Sequence, residues 1–380
     1  MEFSYWERNH LLLECEHIVV GAGIVGAFTA LKLRELHPDS SICILEKNLF
    51  GGGGSTKNAG FTCFGSPTEI LSDLKSMGPI ACAEIMRMRF KGLEKLTTTL
   101  GKRNIDFVLS GGIEVFHHRE SGHKLTYENT KSQLSVLNEF MLEHLNEKEV
   151  FRDASLKCKD QGIQSIDGAI ENRLEGAINT GKMMKTLLQL CTQKNIEIYR
   201  GVSVVKIKEE ENRVRVLSSE GTFASKQVFL CTNGFTKSVL PQIDAKPVKN
   251  LVLVSQRIPN FPLQGTFHMD EGYVYFRNIE SRLLIGGGRH WDKDSENTNS
   301  SLISSEIKEK LKSLTTELFP DLGNITFEYE WNGYLGVGES KTPIIKKLSN
   351  RVQCGVRMGG MGVAIGSEIG EQVALLSLQK

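Results

Sequence analysis

The chain has 380 residues, 40% of them apolar and 24% charged, the composition of a globular protein with one or two full cores. Lys and Arg number 46 against 45 Asp and Glu, giving a net charge of +1 and a pI near 7.6. With no basic block, this balance excludes a nucleic-acid partner and points to a small molecule. The eight cysteines form no CxxC pair and lie mostly among apolar residues, the usage of reduced thiols in a reducing, cytoplasmic setting.

In chain order, "HIVVGAGIVGAFTALKLREL" predicts a β-branched strand, a turn with Gly21, Gly23 and Gly26 in GxGxxG spacing, and a helix that opens through Ile24 and Val25. Such glycines permit a tight turn, close approach of a pyrophosphate to the backbone, and close packing of helix on strand, while the helix N-terminus offers free N–H groups to phosphate. Glu14 and Glu16 precede the apolar run, and Lys32 and Arg34 continue it as an amphipathic helix, so neither a signal peptide nor a membrane span is expected. "SSICILEKN" predicts a second buried strand ending at Glu46, followed by Lys47. A carboxylate there suits ribose hydroxyls and disfavours a 2′-phosphate, which leaves FAD or NAD.

The second strand leads into a glycine-rich loop, "GGGGSTKNAGF", with Gly54, Ser55, Lys57, Asn58, Ala59, Gly60 and Phe61. Glycine loses the most entropy on ordering, so a cluster that stops at a defined helix start implies backbone lying against a ligand. The helix start is "SPTE": Ser66 as cap, Pro67 in the first turn and Glu69 closing a capping box. Two helices follow, "SPTEILSDLKSM" and "PIACAEIMRMRFKGLEKLTTTL", then strands in "FVLSGGIEVFHH" and one helix over "KLTYENTKSQLSVLNEFMLEHL". Asn179 or Thr180 caps the next helix, and three short strands and a return strand lead to Cys231. From about Pro241 to Val337 a strand-rich pattern with one helix, "SSEIKEKLKSLTTELF", suggests a second domain. "GAINTGKM" lacks both the Ser or Thr and the preceding strand of a P-loop, and His117 and His118 project to opposite faces of a strand, so neither binds as a motif. Cys63 follows the loop and reads as a small buried hydrophobe or as a neighbour of the ligand.

"GGGGSTKNAG" resembles the G-x-G-x-S-x-x-N-x-G loop of the FAD-dependent oxidoreductases of the D-amino-acid oxidase, glycine oxidase and sarcosine oxidase family. The resemblance runs along the chain. "IYRGVSVVKIKEE" is similar to the strand whose valine, here Val204, meets adenine; "KQVFLCTNGFT" to the strand ending in a turn at Thr232, Asn233 and Gly234; and "EWNGYLGVGESKTPII" to the segment that returns to the flavin at Gly333. "CGVRMGGMGVAIGSEIGEQVALL" is similar to the last strand, glycine turn and helix, with Arg357, Met358, Gly359, Gly360, Met361, Gly362 and Val363 at the flavin. The resemblance implies an α/β fold: a Rossmann-like FAD-binding domain, a parallel sheet with helices and a β-meander, over 1–104, 151–240 and 338–380. It also implies a discontinuous α+β substrate domain with an antiparallel sheet over 105–150 and 241–337.

The same resemblance implies chemistry. FAD would take hydride at N5 from the carbon beside an amine nitrogen, and the imine would hydrolyse, with oxygen or a redox carrier as electron acceptor. Leu335 and Gly360 stand where the family carries carboxylate-binding arginines, Lys341 stands where it has an Asp, and "NGYLGVGESKTP" has no cysteine for a flavin bond. Noncovalent FAD is expected, and Leu284, in place of an oxygen-activating Lys, leans towards a dehydrogenase. Tyr273, Tyr275, Arg289, His290 and Lys341 are the candidate catalytic residues. A small amine is the expected substrate. The rivals are a hydroxy-acid or polyol-phosphate dehydrogenase on the same fold, and a flavoprotein that binds or senses without turnover.

Overall fold

The apolar strand Glu14–Val20 lies at the centre of a sheet, as its β-branched run requires of a strand buried on both faces. The computed structural model describes residues 4–11, 13–118, 125–298 and 300–379. Among these residues the first sheet runs Ile344–Lys347, Val352–Val356, Gly221–Leu230, Glu14–Val20, Ile42–Glu46, Glu197–Arg200. Glu14–Val20 pairs parallel to both neighbours. The meander strands Val204–Glu209 and Val214–Ser218 branch from Gly221–Leu230. Helices Ile24–Leu36, Pro67–Leu100 and Gly362–Leu375 bury their apolar residues in one core with Val19, Ile42 and Ile44. The contact is close because small residues line it. A Cβ on Gly92 would stand 2.2 Å from the Ala364 carbonyl oxygen, and the Thr29 hydroxyl donates to Gly370 O at 3.0 Å.

The second sheet runs Phe327–Val337, Lys246–Arg257, Arg282–Gly287, Val274–Ile279, Thr266–Met269, Gly112–His117, Ile166–Asn172, Phe151–Asp153. Its pairs are antiparallel except Thr266–Met269 with Gly112–His117, which run parallel. Helix Ser305–Leu318 lays Ile307, Leu311, Leu314 and Leu318 on one face of it, against Phe267, Phe276 and Ile285. Ile166–Asn172 pairs with Gly112–His117 along its length, so 151–172 belongs to this sheet and not, as expected, to the cofactor unit. We therefore propose the two-domain division with that one transfer.

The two expected helices after the loop are present within Pro67–Leu100 and meet at Gly78, whose φ of 80° and ψ of 166° are non-helical. Two other local expectations differ in detail. The expected single helix before residue 146 is two, Tyr127–Lys131 and Leu134–Leu145, because the Tyr127 hydroxyl is tied to Asp153 (2.6 Å) while Leu137, Phe140 and Met141 turn into the core. Ser66 caps its helix by accepting from Glu69 N (3.3 Å), but the Glu69 carboxylate faces Arg89 instead of completing a capping box. Among the described residues no helix is long and apolar enough to cross a membrane.

Candidate active site

The glycine turn is built for close approach. Gly21 has φ +105°, and a Cβ on Gly26 would stand 1.9 Å from Gly21 O. Glu46 Oε2 accepts from Ala22 N (2.9 Å) and Oε1 from Asn48 N (2.9 Å), so the expected ribose carboxylate stands beside the turn, with Lys47 exposed next to it. Gly23 abuts Ser55, whose hydroxyl accepts from Ile24 N at 3.0 Å. The side chains of Ile24 and Val25 are buried against Gly366 and Gly355, leaving only their backbone for a ligand. Val204 opens its meander strand two residues past Val202, whose N–H donates to Glu46 O (2.9 Å).

The loop is clamped from several sides. Gly54–Lys57 forms one helical turn. Asn58 donates to Gly54 O (3.1 Å) and Ser55 O (2.9 Å), and its Oδ1 accepts from Gly60 N (2.9 Å) and the Thr180 hydroxyl (2.8 Å). Phe61–Thr62 pairs with Gly176–Ala177. Arg277 of the second sheet donates to Gly60 O (2.6 Å) and Ile178 O (3.1 Å), and Trp331 Nε1 to Lys57 O (3.0 Å). A Cβ on Gly54 would meet Tyr334 O at 2.8 Å, and one on Gly333 would meet Lys57 O at 3.0 Å. These two glycines are thus demanded by protein backbone, whereas Gly53, Gly359 and Gly360 face open space.

The return turn closes the far end. Asn233 (φ 49°) accepts at Oδ1 from Arg357 N and Met358 N, both 3.1 Å. Thr232 meets Thr236 at 2.8 Å, and Gly234 packs on Pro247. Arg357, itself at φ +67°, pairs with Asp244 (2.6 Å) and donates to Thr342 O, so its charge is already matched. Met361 Sδ lies 3.6 Å from Cys63 Sγ, and helix Gly362–Leu375 starts beside them.

Between loop and sheet lies a cavity of about 580 Å³, within the range of small-molecule sites. The loop contributes Gly54, Lys57, Asn58, Ala59 and Phe61, the sheet Gly333, and the return turn Arg357 to Met361 with Val363. Gly60, Thr232, Asn233, Gly234 and Gly362 do not line it. The open glycine positions and the two long helices starting at Ile24 and Gly362 fit an FAD, whose phosphates and reduced ring carry negative charge.

Of the expected catalytic residues, Tyr273, Tyr275, Arg289 and Lys341 line the cavity and His290 does not. His290 faces Asp270 at 3.3 Å, because the turn after Gly288 carries its ring out of the wall. The Arg289 guanidinium lies 4.7 Å over the Tyr273 ring. Lys341 is not a spare cation: Nζ is 2.6 Å from Asp73 and 3.7 Å from Glu69, which also faces Arg89 at 3.3 Å. Burial raises the Asp73 carboxyl against the pull of Lys341. Burial likewise holds the Cys63 thiol well above its usual range.

Sequence reasoning missed Glu69, Asp73, Arg89, Asn250 and His268, all in the cavity wall. Asn250 was detectable as a polar residue that opens the apolar run "NLVLV" and shares the strand face of Val252 and Val254. Glu69 and Asp73 were detectable as carboxylates four apart on one helix face. Beneath the wall, Glu114 accepts from Ser66 Oγ (3.0 Å) and Thr68 N (2.9 Å), and burial pushes it up to about 7.

Known proteins resemble this chain along most of its length. A probable oxidoreductase, OrdL, of Rhizobium meliloti (strain 1021) is 22% identical, with 95% of this chain and 82% of that protein covered. The sarcosine oxidase subunit beta of Rhodobacter capsulatus is 23% identical, with 92% and 82% covered. The crystal structure of glycine oxidase from Geobacillus kaustophilus superposes with a TM-score of 0.77 at 18% identity, over 97% of this chain and 95% of that one, a likeness of fold. Residues 16–376 match the family model described as FAD dependent oxidoreductase; the chain belongs to that family and is an FAD-dependent oxidoreductase.

Proposed function

We propose that this protein oxidises the C–N bond of a small amine or amino-acid derivative. The observation that carries this reading is Asn250 Oδ1, a buried amide oxygen in the cavity wall with no donor among the described residues. A buried acceptor left unpaired is costly, and an N–H group of a bound amine would satisfy it. Asn250 Nδ2 donates to the Tyr275 hydroxyl at 3.4 Å, and the Phe61 ring packs edge-on to Tyr275, centroids 5.4 Å apart, in the same corner. Bound FAD supplies the hydride acceptor at N5. The chain's residues orient the amine, and the imine hydrolyses after release.

Noncovalent attachment is proposed on Cys63, the one cysteine in the cavity wall, whose buried thiol stays protonated. A cytoplasmic location is proposed on the eight free cysteines, including Cys15 and Cys43, whose sulfurs share a hydrogen bond at 3.4 Å and no disulfide. The hydroxy-acid rival needs cationic anchors and a base. Lys341 is engaged by Asp73 and His290 by Asp270, while Arg289 lies over Tyr273 in the cavity wall, so the choice between the two readings rests with the substrate test.

The test is the visible flavin spectrum of the purified protein, followed anaerobically as pools of secondary amines, N-methyl amino acids, polyamines and hydroxy acids are added. Bleaching by an amine pool is the expected result, and bleaching by hydroxy acids alone would overturn the reading. Recolouring in air then separates oxygen from a carrier as electron acceptor.

A further inference from the structure

His268, in strand Thr266–Met269, stands directly opposite Tyr275 in the antiparallel pair, so both side chains project to the cavity face. Phe61 lies edge-on to the ring, centroids 5.1 Å apart. The ring's two nitrogens have different surroundings. Nε2 is fully buried, makes no hydrogen bond among the described residues, and lies 3.5 Å from Glu175 Oε2, close enough for a small approach to pair them. Glu175 is itself 1% exposed and fixed through its other oxygen, which accepts from Phe64 N (2.9 Å), Gly65 N (3.3 Å) and Asn172 Nδ2 (3.2 Å). Nδ1 lies on the side of Gly272, 4.0 Å from where a Cβ there would stand, and Gly272 lines the cavity.

The other titratable groups beside the ring are Glu114, its partner across the parallel pair, and the Tyr275 phenol across the antiparallel one. Burial raises the phenol and pushes Glu114 up to about 7, so the carboxylate that a positive charge on the ring would face is that of Glu175, 3.5 Å from Nε2.

We infer that His268 is the acid–base residue of the cavity, taking the proton of a substrate ammonium at Nδ1 while Glu175 orients the ring from Nε2. The inference rests on the amine reading above. An ammonium has no lone pair to assist hydride loss from the adjacent carbon. Breaking one of its N–H bonds leaves the electron pair on nitrogen, forms Nδ1–H and moves the positive charge to the imidazole. The proton leaves to water through the cavity mouth after product departs. A positioned acid–base group of this kind contributes about 10²–10⁴-fold in rate.

The experiment is anaerobic stopped-flow bleaching by N-methylglycine, proline and putrescine across pH, in wild type, His268→Gln and Glu175→Gln. In His268→Gln the loss of bleaching rate should be about 100-fold near pH 7 and should shrink to a few-fold where the amine is already neutral. Glu175→Gln keeps an oxygen for the Phe64 and Gly65 N–H groups, so FAD should be retained while the rate falls by less than in His268→Gln. A His268→Gln protein with full FAD content and the wild-type pH profile would overturn the inference. Histidine-ring ¹⁵N NMR of the wild-type holoprotein is an independent measurement if the variant does not fold. It should show the neutral ring protonated on Nε2, and a ring protonated on Nδ1 overturns the proposal. A wild-type protein bleached only by hydroxy acids refutes the amine reading instead, whatever the tautomer.

Discussion

Replacing Arg277 with Met should weaken FAD binding through the loop, without touching the glycine turn. Arg277 sits on strand Val274–Ile279 and donates to Gly60 O at 2.6 Å and Ile178 O at 3.1 Å, while Ala59 O at 3.4 Å is a marginal third partner. Burial alone pushes its guanidinium down to about 10: carbonyl dipoles, not a carboxylate, hold the cation. Hydrogen bonds to a charged group contribute about 1.5–3 kcal/mol each, so two amount to ~3–6 kcal/mol. Removing a desolvated cation returns part of this, leaving about 2 kcal/mol, or roughly 30-fold in FAD affinity if the loop must be ordered to bind. Arg277→Lys retains one donor and should recover part of the loss. The assay is fluorescence titration of apoprotein with FAD, alongside Tm. An Arg277→Met protein that binds FAD as tightly as wild type would refute the claim that the sheet orders the loop.

The other predictions concern packing and charge. Gly26→Ala places a Cβ 1.9 Å from Gly21 O, and backbone cannot yield that far; the protein should purify colourless or aggregate, and stoichiometric flavin absorbance would contradict this. Glu114, 2% exposed, is raised from 4.5 to about 7, so it stays protonated when folded while the unfolded chain ionises. Its contribution is fully present below pH 4.5 and lost as pH rises through about 7, a change of roughly 3 kcal/mol. Glu114→Gln lacks this dependence, so its Tm should gain on wild type from pH 4 to pH 8; a constant Tm difference would refute the assignment. Lys341→Met removes the cation 2.6 Å from buried Asp73, whose carboxyl is already raised. Folded Asp73 should then bind its proton more tightly, so the variant's deficit in Tm should be larger at pH 8 than at pH 5.

Much of the fold is legible from local pattern. The β-branched strand, the glycine spacing and the acid at the end of the second strand each lie within a few residues of one another, and short-range sterics dictate them. The Ser66 cap and the Gly78 break are equally local. The placement of 151–172 was not legible, because a short apolar strand carries no mark of its sheet. Nor was the engagement of Lys341, since Asp73 and Glu69 lie far from it in sequence and meet it only through folding.

The sequence by itself determined that a dinucleotide turn and a glycine loop exist and that their backbone must lie close to something, because glycine clusters and GxGxxG spacing act through local geometry. Tertiary structure alone decided what the loop lies against. Gly54 and Gly333 are required by facing protein backbone, and Gly53, Gly359 and Gly360 are left open. It also decided which polar groups enter the cavity. Asn250, His268 and Tyr275 come from three strands whose register turns them to one side, and register is settled by pairings between distant parts of the chain that no local pattern encodes.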